Sequence, residues 1–316
     1  MHAPFSYSVN GILPRTLALV LLCVLLLEAT TTSLALQRVH DYEVPGQLLV
    51  SRLYRQQQQQ TSGDSNYRRR RPLILLPGMA QTIATWDSQA TLLSRERTVL
   101  VCEPLGIGNK ISFLSASGSS SRNVTLPFQA QCLYETVQHV FAAQQDDQEE
   151  QEQGFDIVGF SLGGRIAMAF ACLYPMEVHN LHITGVAWER SARGKTNLLA
   201  WKNCLEHDNL RGFAWLAIMA TYSPTFLLVQ PQEKISTWVE TLSTSHTSQG
   251  LLELMRQTHQ EDNDGDDDDD LDNIWTVPKM ANRLGSTANK VSPCRGHLCV
   301  GQEDEMAPFE QVNRLA

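Results

Sequence analysis

Residues 159–164 read Gly-Phe-Ser-Leu-Gly-Gly, and no other stretch constrains the fold as strongly. The preceding Phe155-Asp156-Ile157-Val158 has the look of a short buried strand. After it, Ile166, Ala167, Ala169, Phe170 and Leu173 recur at helical spacing. A strand that turns at once into a helix leaves no room for Cβ atoms beside the turn, and Gly159 and Gly163 lack them. The turn forces Ser161 into a strained backbone conformation, lifts its hydroxyl clear of the sheet and sets it near a helix N-terminus. Backbone N–H groups there stabilise negative charge developing on an oxygen. G-x-S-x-G between a strand and a helix is the sequence mark of a serine presented as a nucleophile.

The rest of the chain supplies a sheet for this turn. Leu73-Ile74-Leu75-Leu76 is a continuous apolar run, as in a strand buried on both faces, and Pro77-Gly78-Met79 follows it. Trp86 opens a helix. Thr98-Val99-Leu100-Val101-Cys102 is a second such strand, ending at Glu103-Pro104-Leu105-Gly106-Ile107-Gly108. A Ser-rich loop at 112–121 leads to a helix over 126–143, and a polar run at 144–153 leads back to the elbow strand. A further strand is expected over 181–186. Upstream, 42–54 reads as a hairpin, with strand residues Tyr42-Glu43-Val44 and a turn at Pro45-Gly46. This alternation predicts an α/β, doubly wound, mostly parallel sheet. Ligands of such sheets sit at the carboxyl ends of the strands. Pro77-Gly78-Met79, the 103–108 loop and Ser161 all fall there.

From 188 to about 290 the strand-like runs stop. Leu198, Leu199, Trp201, Leu205, Phe213, Trp215, Leu216, Ile218 and Met219 predict helices, as do Ile235, Trp238 and Leu242, then Leu251, Leu252, Leu254 and Met255. The acidic run at 261–272 has Asp267 where a calcium loop needs its glycine, so it reads as a solvated, disordered loop. Residues 295–300 return to strand and 306–315 to helix. The expected domains are a signal peptide at 1–35, the first part of the sheet domain at 36–187, a helical cap at 188–290, and the rest of the sheet domain at 291–316.

A chain of 316 residues, 42% of them hydrophobic, holds one large domain or two medium ones. The formal net charge of −9 gives no reason to expect nucleic acid. Arg68 to Arg71, beside the Gln run at 56–60, read as a solvated loop. At the N-terminus, Arg15 precedes an apolar run at 17–27 broken by Glu28, and Ser33-Leu34-Ala35 follows as a small-x-small cleavage site. The run is short of the roughly 20 residues a bilayer span needs. The expectation is the secretory pathway or secretion, with a plastid reached by a signal-peptide-first route as the alternative. Asn123-Val124-Thr125 is a glycosylation sequon. Seven cysteines are too sparse for a disulfide scaffold, and the odd count resolves if Cys23 leaves with the signal peptide. Cys294 and Cys299 do not pair along an extended strand. It would separate their Cα atoms by roughly 16 Å, where a disulfide needs about 4.4–6.8 Å.

Taken in order, these motifs resemble the α/β-hydrolase superfamily, and the resemblance runs over roughly 42–316. Pro77-Gly78-Met79 stands where the family has His-Gly-x, and the 103–108 loop resembles its Asp-x-x-Gly-x-Gly. Gly159-Phe160-Ser161-Leu162-Gly163 is the nucleophile elbow, 188–290 takes the place of the cap, and Gly301-Gln302-Glu303-Asp304 with Pro308 resembles the acid motif. The resemblance implies Ser161 as nucleophile, Asp304 as the acid that orients a histidine, and an oxyanion hole from the N–H groups of Met79 and Leu162. Gly163-Gly164-Arg165 also resembles the menaquinone-pathway synthase branch, in which Arg165 would bind a substrate carboxylate. As a bare residue, Arg165 reads more simply as a helix-surface arginine.

The sequence departs from the family in two places. Pro77 replaces the histidine before the oxyanion glycine, which a hole built of backbone donors tolerates. The family's histidine follows the acid after a further helix and strand, and Glu305 to Ala316 supply only the helix. His297 falls in the strand before the acid, His179 and His182 flank the strand after the elbow helix, and His207, His246 and His259 fall in the cap. No histidine of this chain is therefore expected within reach of Ser161. Three functions remain open: a serine hydrolase of small esters or related carbonyl compounds, a catalytically impaired binding protein on the same fold, and a C–C lyase or synthase of the menaquinone type. Each implies a small-molecule substrate. No metal, cofactor, nucleic acid or membrane span is expected, and oligomeric state is left open.

Overall fold

The computed structural model describes residues 38–42, 49–55, 70–108, 124–142, 154–259, 275–287 and 295–299. The expected signal peptide, the Asn123 sequon, the Gln/Arg run up to Arg69, the acidic run, Cys294 and the acid motif with Asp304 lie outside these residues.

Seven strands form one sheet in the order β1-β2-β4-β3-β5-β6-β7. They are β1 (Arg38–Tyr42), β2 (Ser51–Arg55), β3 (Leu73–Leu76), β4 (Val99–Cys102), β5 (Phe155–Phe160), β6 (Val178–Thr184) and β7 (Arg295–Cys299). β1 and β2 pair antiparallel, β2 pairs antiparallel with β4, and the remaining pairs are parallel. Helices α1 (Asp87–Leu93), α2 (Leu126–Ala142) and α3 (Leu162–Leu173) alternate with the strands. From β3 the chain steps through α1 to β4 on one side, then through α2 to β5 on the other. The direction of winding therefore reverses between β3 and β5, and an open parallel sheet has its ligand crevice at such a reversal.

The apolar strand runs are explained by register. Leu53, Leu100, Ile74, Ile157 and Leu181 lie side by side across the sheet, all buried on the face that α2 and α3 cover. Their neighbours Val101, Leu75 and Val158 form the opposite face, where Ala90 of α1 and Trp86 pack. At the amino ends of the strands, Arg97 donates to Asp156 at 2.6 Å, and the Asn180 amide donates to the other carboxylate oxygen at 2.6 Å. This end of the sheet is closed by an ion pair whose acceptor is satisfied on both oxygens.

Between β6 and residue 259 the described residues form α4 (Ala192–Glu206), α5 (Leu210–Thr221), α6 (Pro224–Leu228), α7 (Gln232–Thr244) and α8 (Ser248–Thr258). Side-chain N-caps start four of them. Ser191 accepts from Gly194 N–H, Asn209 from Gly212, Ser223 from Phe226 and Thr247 from Gly250. α5 and α7 enclose a small core of Ala214, Ile218 and Val239, flanked by the stacked rings of Tyr222, Phe226 and Trp238.

Three expectations shift. The first hairpin arm is Arg38–Tyr42, with Tyr42 paired to Ser51; the turn expected at Pro45-Gly46 lies outside the described residues. β6 begins at Val178, so His179 and His182 lie within it. Helix α9 (Val277–Thr287), expected as the last of the cap, packs on α3: Val277 and Met280 are buried in the main core, and Cys172 of α3 donates through Sγ to the Met280 carbonyl at 3.6 Å. Cys102, Cys132 and Cys204 are free thiols. No described helix is long and apolar enough to cross a membrane. We expect Met280→Ala to lower unfolding stability by about 2–5 kcal/mol, the cost of emptying a buried core position, in a urea titration. A helix α9 that merely rested on the surface would lose under 1 kcal/mol.

Candidate active site

Ser161 lies between β5 and α3 as the N-cap of the helix, with φ 52° and ψ −115°. A left-handed φ at a non-glycine residue costs roughly 1–3 kcal/mol and persists only where its surroundings impose it. The Ser161 N–H donates to the Thr184 carbonyl at 2.8 Å, and its carbonyl accepts from Arg165 N–H at 3.2 Å. The glycines around it are there for space. A Cβ on Gly163 would lie 2.1 Å from the Leu76 carbonyl oxygen and 2.5 Å from that of Pro77. A Cβ on Gly159 would meet the Gly163 carbonyl at 2.5 Å, and one on Gly164 would meet Val186 at 2.7 Å. The first turn of α3 therefore rests directly on the end of β3. Leu162, the first helical residue, is buried there.

Residues 78–81, beyond β3, form a turn in which Gln81 N–H donates to the Gly78 carbonyl at 3.2 Å. Ala80 carries the turn at φ 60°, a left-handed conformation that costs an L-residue roughly 1–2 kcal/mol. Met79 lies between Gly78 and Ala80, partly buried against the main core. The Gln81 side-chain oxygen accepts from Gly78 N–H at 2.8 Å and from the Trp86 indole at 3.3 Å. Glu103, at the end of β4, accepts from Ile83 N–H at 3.0 Å. Phe160 fills the space a Gly78 Cβ would need. The 103–108 loop is in turn tied to α2, where Gln129 accepts from Leu105 N–H at 2.9 Å. Ser161, Leu162 and the 78–81 turn, separate in sequence, thus meet at the winding reversal.

Arg165 is not the helix-surface arginine its position alone predicts. It is 4% exposed, one turn into α3. Every residue of 162–172 is buried, so this helix offers an arginine no solvent face. The sequence carried that signal, because 162–173 contains no other charged or polar side chain. The positive charges of Arg165 and Arg190 bear on His259 at the end of α8. With burial as the larger cause, they hold its pKa well below the ordinary histidine value.

Five of the described histidines, His182, His207, His246, His259 and His297, have partners of their own. His182 stacks on His297 across β6 and β7, rings 4.5 Å apart, and burial with the neighbouring ring lowers its pKa to about 4. His207 caps α4 at the Asn203 carbonyl and is exposed. The His259 Nδ1 lies 2.6 Å from the Thr258 hydroxyl. That hydroxyl already donates to the Leu254 carbonyl, so it accepts from an Nδ1–H. His246, between α7 and α8, is 4% exposed. Its Nδ1 accepts from Gly108 N–H at 3.0 Å and its Nε2 lies 3.0 Å from the Ala80 carbonyl. Nothing in its sequence neighbourhood, Ser-Thr-Ser-His-Thr-Ser, distinguishes this residue.

No family model matches the chain. Pyrrolizixenacetamide deacetylase of Xenorhabdus hominickii is 28% identical over 98 residues, 31% of this chain and 36% of that protein. The chain therefore matches only about a third of that relative's length. Among solved structures, an acetylester hydrolase from Corynebacterium glutamicum is similar with a TM-score of 0.56 and 14% identity, covering 88% of this chain and 84% of that one. A thermophilic esterase from Thermogutta terrifontis has a TM-score of 0.53 and 19% identity, covering 78% and 77%. An enol-lactonase from Burkholderia xenovorans LB400 has a TM-score of 0.53 and 14% identity, covering 89% and 84%.

Two outcomes follow from this geometry. Gly163→Ala puts a methyl group on the Leu76 carbonyl, where only backbone displacement relieves it. We expect loss of more than about 4 kcal/mol of stability, beyond the usual 1–3 for overpacking, or no soluble protein; normal expression and melting would contradict the contact. The second concerns pH. His246 and His182 stay neutral in the fold and charge at about pH 6.5 when unfolded. Below pH 6.5 the unfolded chain therefore binds more protons, and stability falls until the folded values near 4 are reached. Burial, which holds the His246 pKa down at about 4, makes this residue a main source of that loss, on the order of a few kcal/mol. Urea titrations should show little contribution from these histidines between pH 7 and 8 and a steep decline from 6.5 to 4, shallower in His246→Gln.

Proposed function

We propose, since the chain has the α/β-hydrolase fold, that it is a serine hydrolase acting on a small ester or a related carbonyl compound. The observation that carries this reading is Ser161: a strained residue at a helix N-terminus, beside the 78–81 turn, at the reversal of the sheet. The Ser161 hydroxyl attacks the substrate carbonyl, and the oxygen that gains negative charge is received by the N–H groups of Met79 and Leu162. The proton of Oγ passes to a general base and on to the alcohol, which leaves as the tetrahedral species collapses, and water then releases the acyl group from Oγ. Asp304 is proposed as the acid that orients a histidine base, a role assigned to none of the described histidines. His246 does not serve as that base, because both of its ring nitrogens are committed to backbone groups. The deacetylase and esterase relatives support acyl transfer to water as the reaction class.

The burial of Arg165 favours a second reading, a substrate that carries a carboxylate, as in the lyase branch. A binding protein without turnover is the third. The apolar run at 17–27 further supports entry into the secretory pathway, checked by N-terminal sequencing of the mature protein from its source, where a start near residue 36 is expected.

A fluorophosphonate probe tests the nucleophile, since it reacts only with an activated serine. Protein expressed from the full reading frame should be labelled at Ser161, and Ser161→Ala should abolish labelling. Asp304→Ala should cut kcat on short p-nitrophenyl esters by about 10³ or more, the scale of losing a triad member. Intact folded protein that is neither labelled nor active supports the binding reading. Labelling without ester turnover, but with turnover of carboxylate-bearing substrates, supports the lyase reading.

A further inference from the structure

We propose that His246 is a positioning residue, the joint through which the helical cap holds the 78–81 turn in the shape that aims the Met79 N–H at the reacting carbonyl. The proposal rests on the serine-hydrolase reading for its chemistry, and its geometry stands independently. The Gly108 backbone N–H can only donate, so the Nδ1 it meets at 3.0 Å is bare. The ring hydrogen is therefore on Nε2, which donates to the Ala80 carbonyl at 3.0 Å. One neutral tautomer satisfies both contacts. A charged ring or the other tautomer loses the Gly108 bond, and both strand-end loops are joined only while the ring is neutral with Nε2–H.

The position of Ala80 gives this contact its consequence. Ala80 is the left-handed residue of the turn that carries Met79. An alanine relaxes from that conformation unless its peptide groups are held from outside. Within the sheet domain the turn is held at Gly78 by Gln81, and just beyond it at Ile83 by Glu103. The Ala80–Gln81 peptide is held from both sides: its N–H donates to the Gly78 carbonyl within the turn, and its carbonyl accepts from His246 of the cap. The cap is itself fixed there: a Cβ on Gly250 in α8 would lie 2.8 Å from the Gly106 carbonyl, and Leu254 packs on Gly106. The start of α8 thus sits on the 106–108 backbone, and His246, just ahead of it, reaches across to the neighbouring loop. A displaced cap would release Ala80 and misalign Met79 with no residue of the nucleophile elbow having moved.

The test compares His246→Ala with His246→Gln. A glutamine amide places an acceptor oxygen and a donor nitrogen about as far apart as the two ring nitrogens, so it can accept from Gly108 and donate to Ala80. At a temperature well below both melting points, His246→Ala should lower kcat at least tenfold with KM within threefold of wild type. His246→Gln should recover kcat to within threefold. Hydrogen exchange reads the joint without catalysis: the amides of Ala80, Gln81 and Gly108 should exchange at least tenfold faster in His246→Ala than in His246→Gln, with the α3 amides unchanged. In the wild type, ring nitrogen NMR shifts should report a neutral Nε2–H imidazole at pH 7, which keeps the test open even if His246→Ala does not fold. Wild-type kcat in a folded His246→Ala, equal exchange at the three amides, or an Nδ1–H ring would each overturn the proposal. A wild-type protein without hydrolase activity would remove the hydrolase reading, and the exchange and NMR results would still decide whether the joint exists.

Discussion

Gly163, in the first turn of α3, meets the last carbonyl of β3 with no room for a Cβ between them. A helix that starts this near the neighbouring strand brings the residue before it, Ser161, up to the loop beyond that strand. Had α3 started a few ångströms higher, the serine would stand alone at the end of β5. The strain at Ser161 is one cost of this approach. It is offset by the length of buried helix that follows, including Ile166 and Phe170, which are excluded from solvent in the main core. The strained residue and the packed helix are one arrangement, because each holds the other in place.

The two ends of the sheet differ in kind. At the amino end, Arg97, Asp156 and Asn180 form a closed set in which both carboxylate oxygens are satisfied by side chains. At the carboxyl end, left-handed residues collect: Ala80, Gly106, Gly108, Ser161 and Gly185 all have positive φ. A parallel sheet directs its connecting turns and helix N-termini to this end, so charge recognition and bent backbone accumulate there. The buried Arg165 adds a cation beneath the same rim, close enough to affect His259 on the cap.

Polar groups buried at the carboxyl end find partners on three elements. Gln81 serves the turn it belongs to, Glu103 reaches over from β4, and His246 descends from the cap. Each removes a cost of roughly 1–3 kcal/mol that an unsatisfied buried backbone group would carry. The helices after β6 are therefore part of the strand-end structure. They also have a small core of their own around Val239.

Much of this was determined by the sequence alone. Local rules suffice for a glycine on either side of a serine at a strand-to-helix turn, for apolar runs such as 73–76 and 99–102, and for helices begun by Ser191, Asn209, Ser223 and Thr247. Each of these depends only on residues within a turn or two. A doubly wound sheet was also legible in the alternation of strands and helices, but the point of its reversal was set by which strands pair. Contacts between distant segments were decided by the tertiary structure. α9 lies on α3 because Val277 and Met280 find a buried site there. The hairpin arm lies at 38–42 because strand register is set by the partner strand. Arg165 is buried because the sheet, α2 and α9 together take up the faces of α3. His246 is the plainest case. A histidine in a polar loop has no local signal, and its role follows from two backbone groups, 166 and 138 residues away in sequence, that packing brings to its two nitrogens.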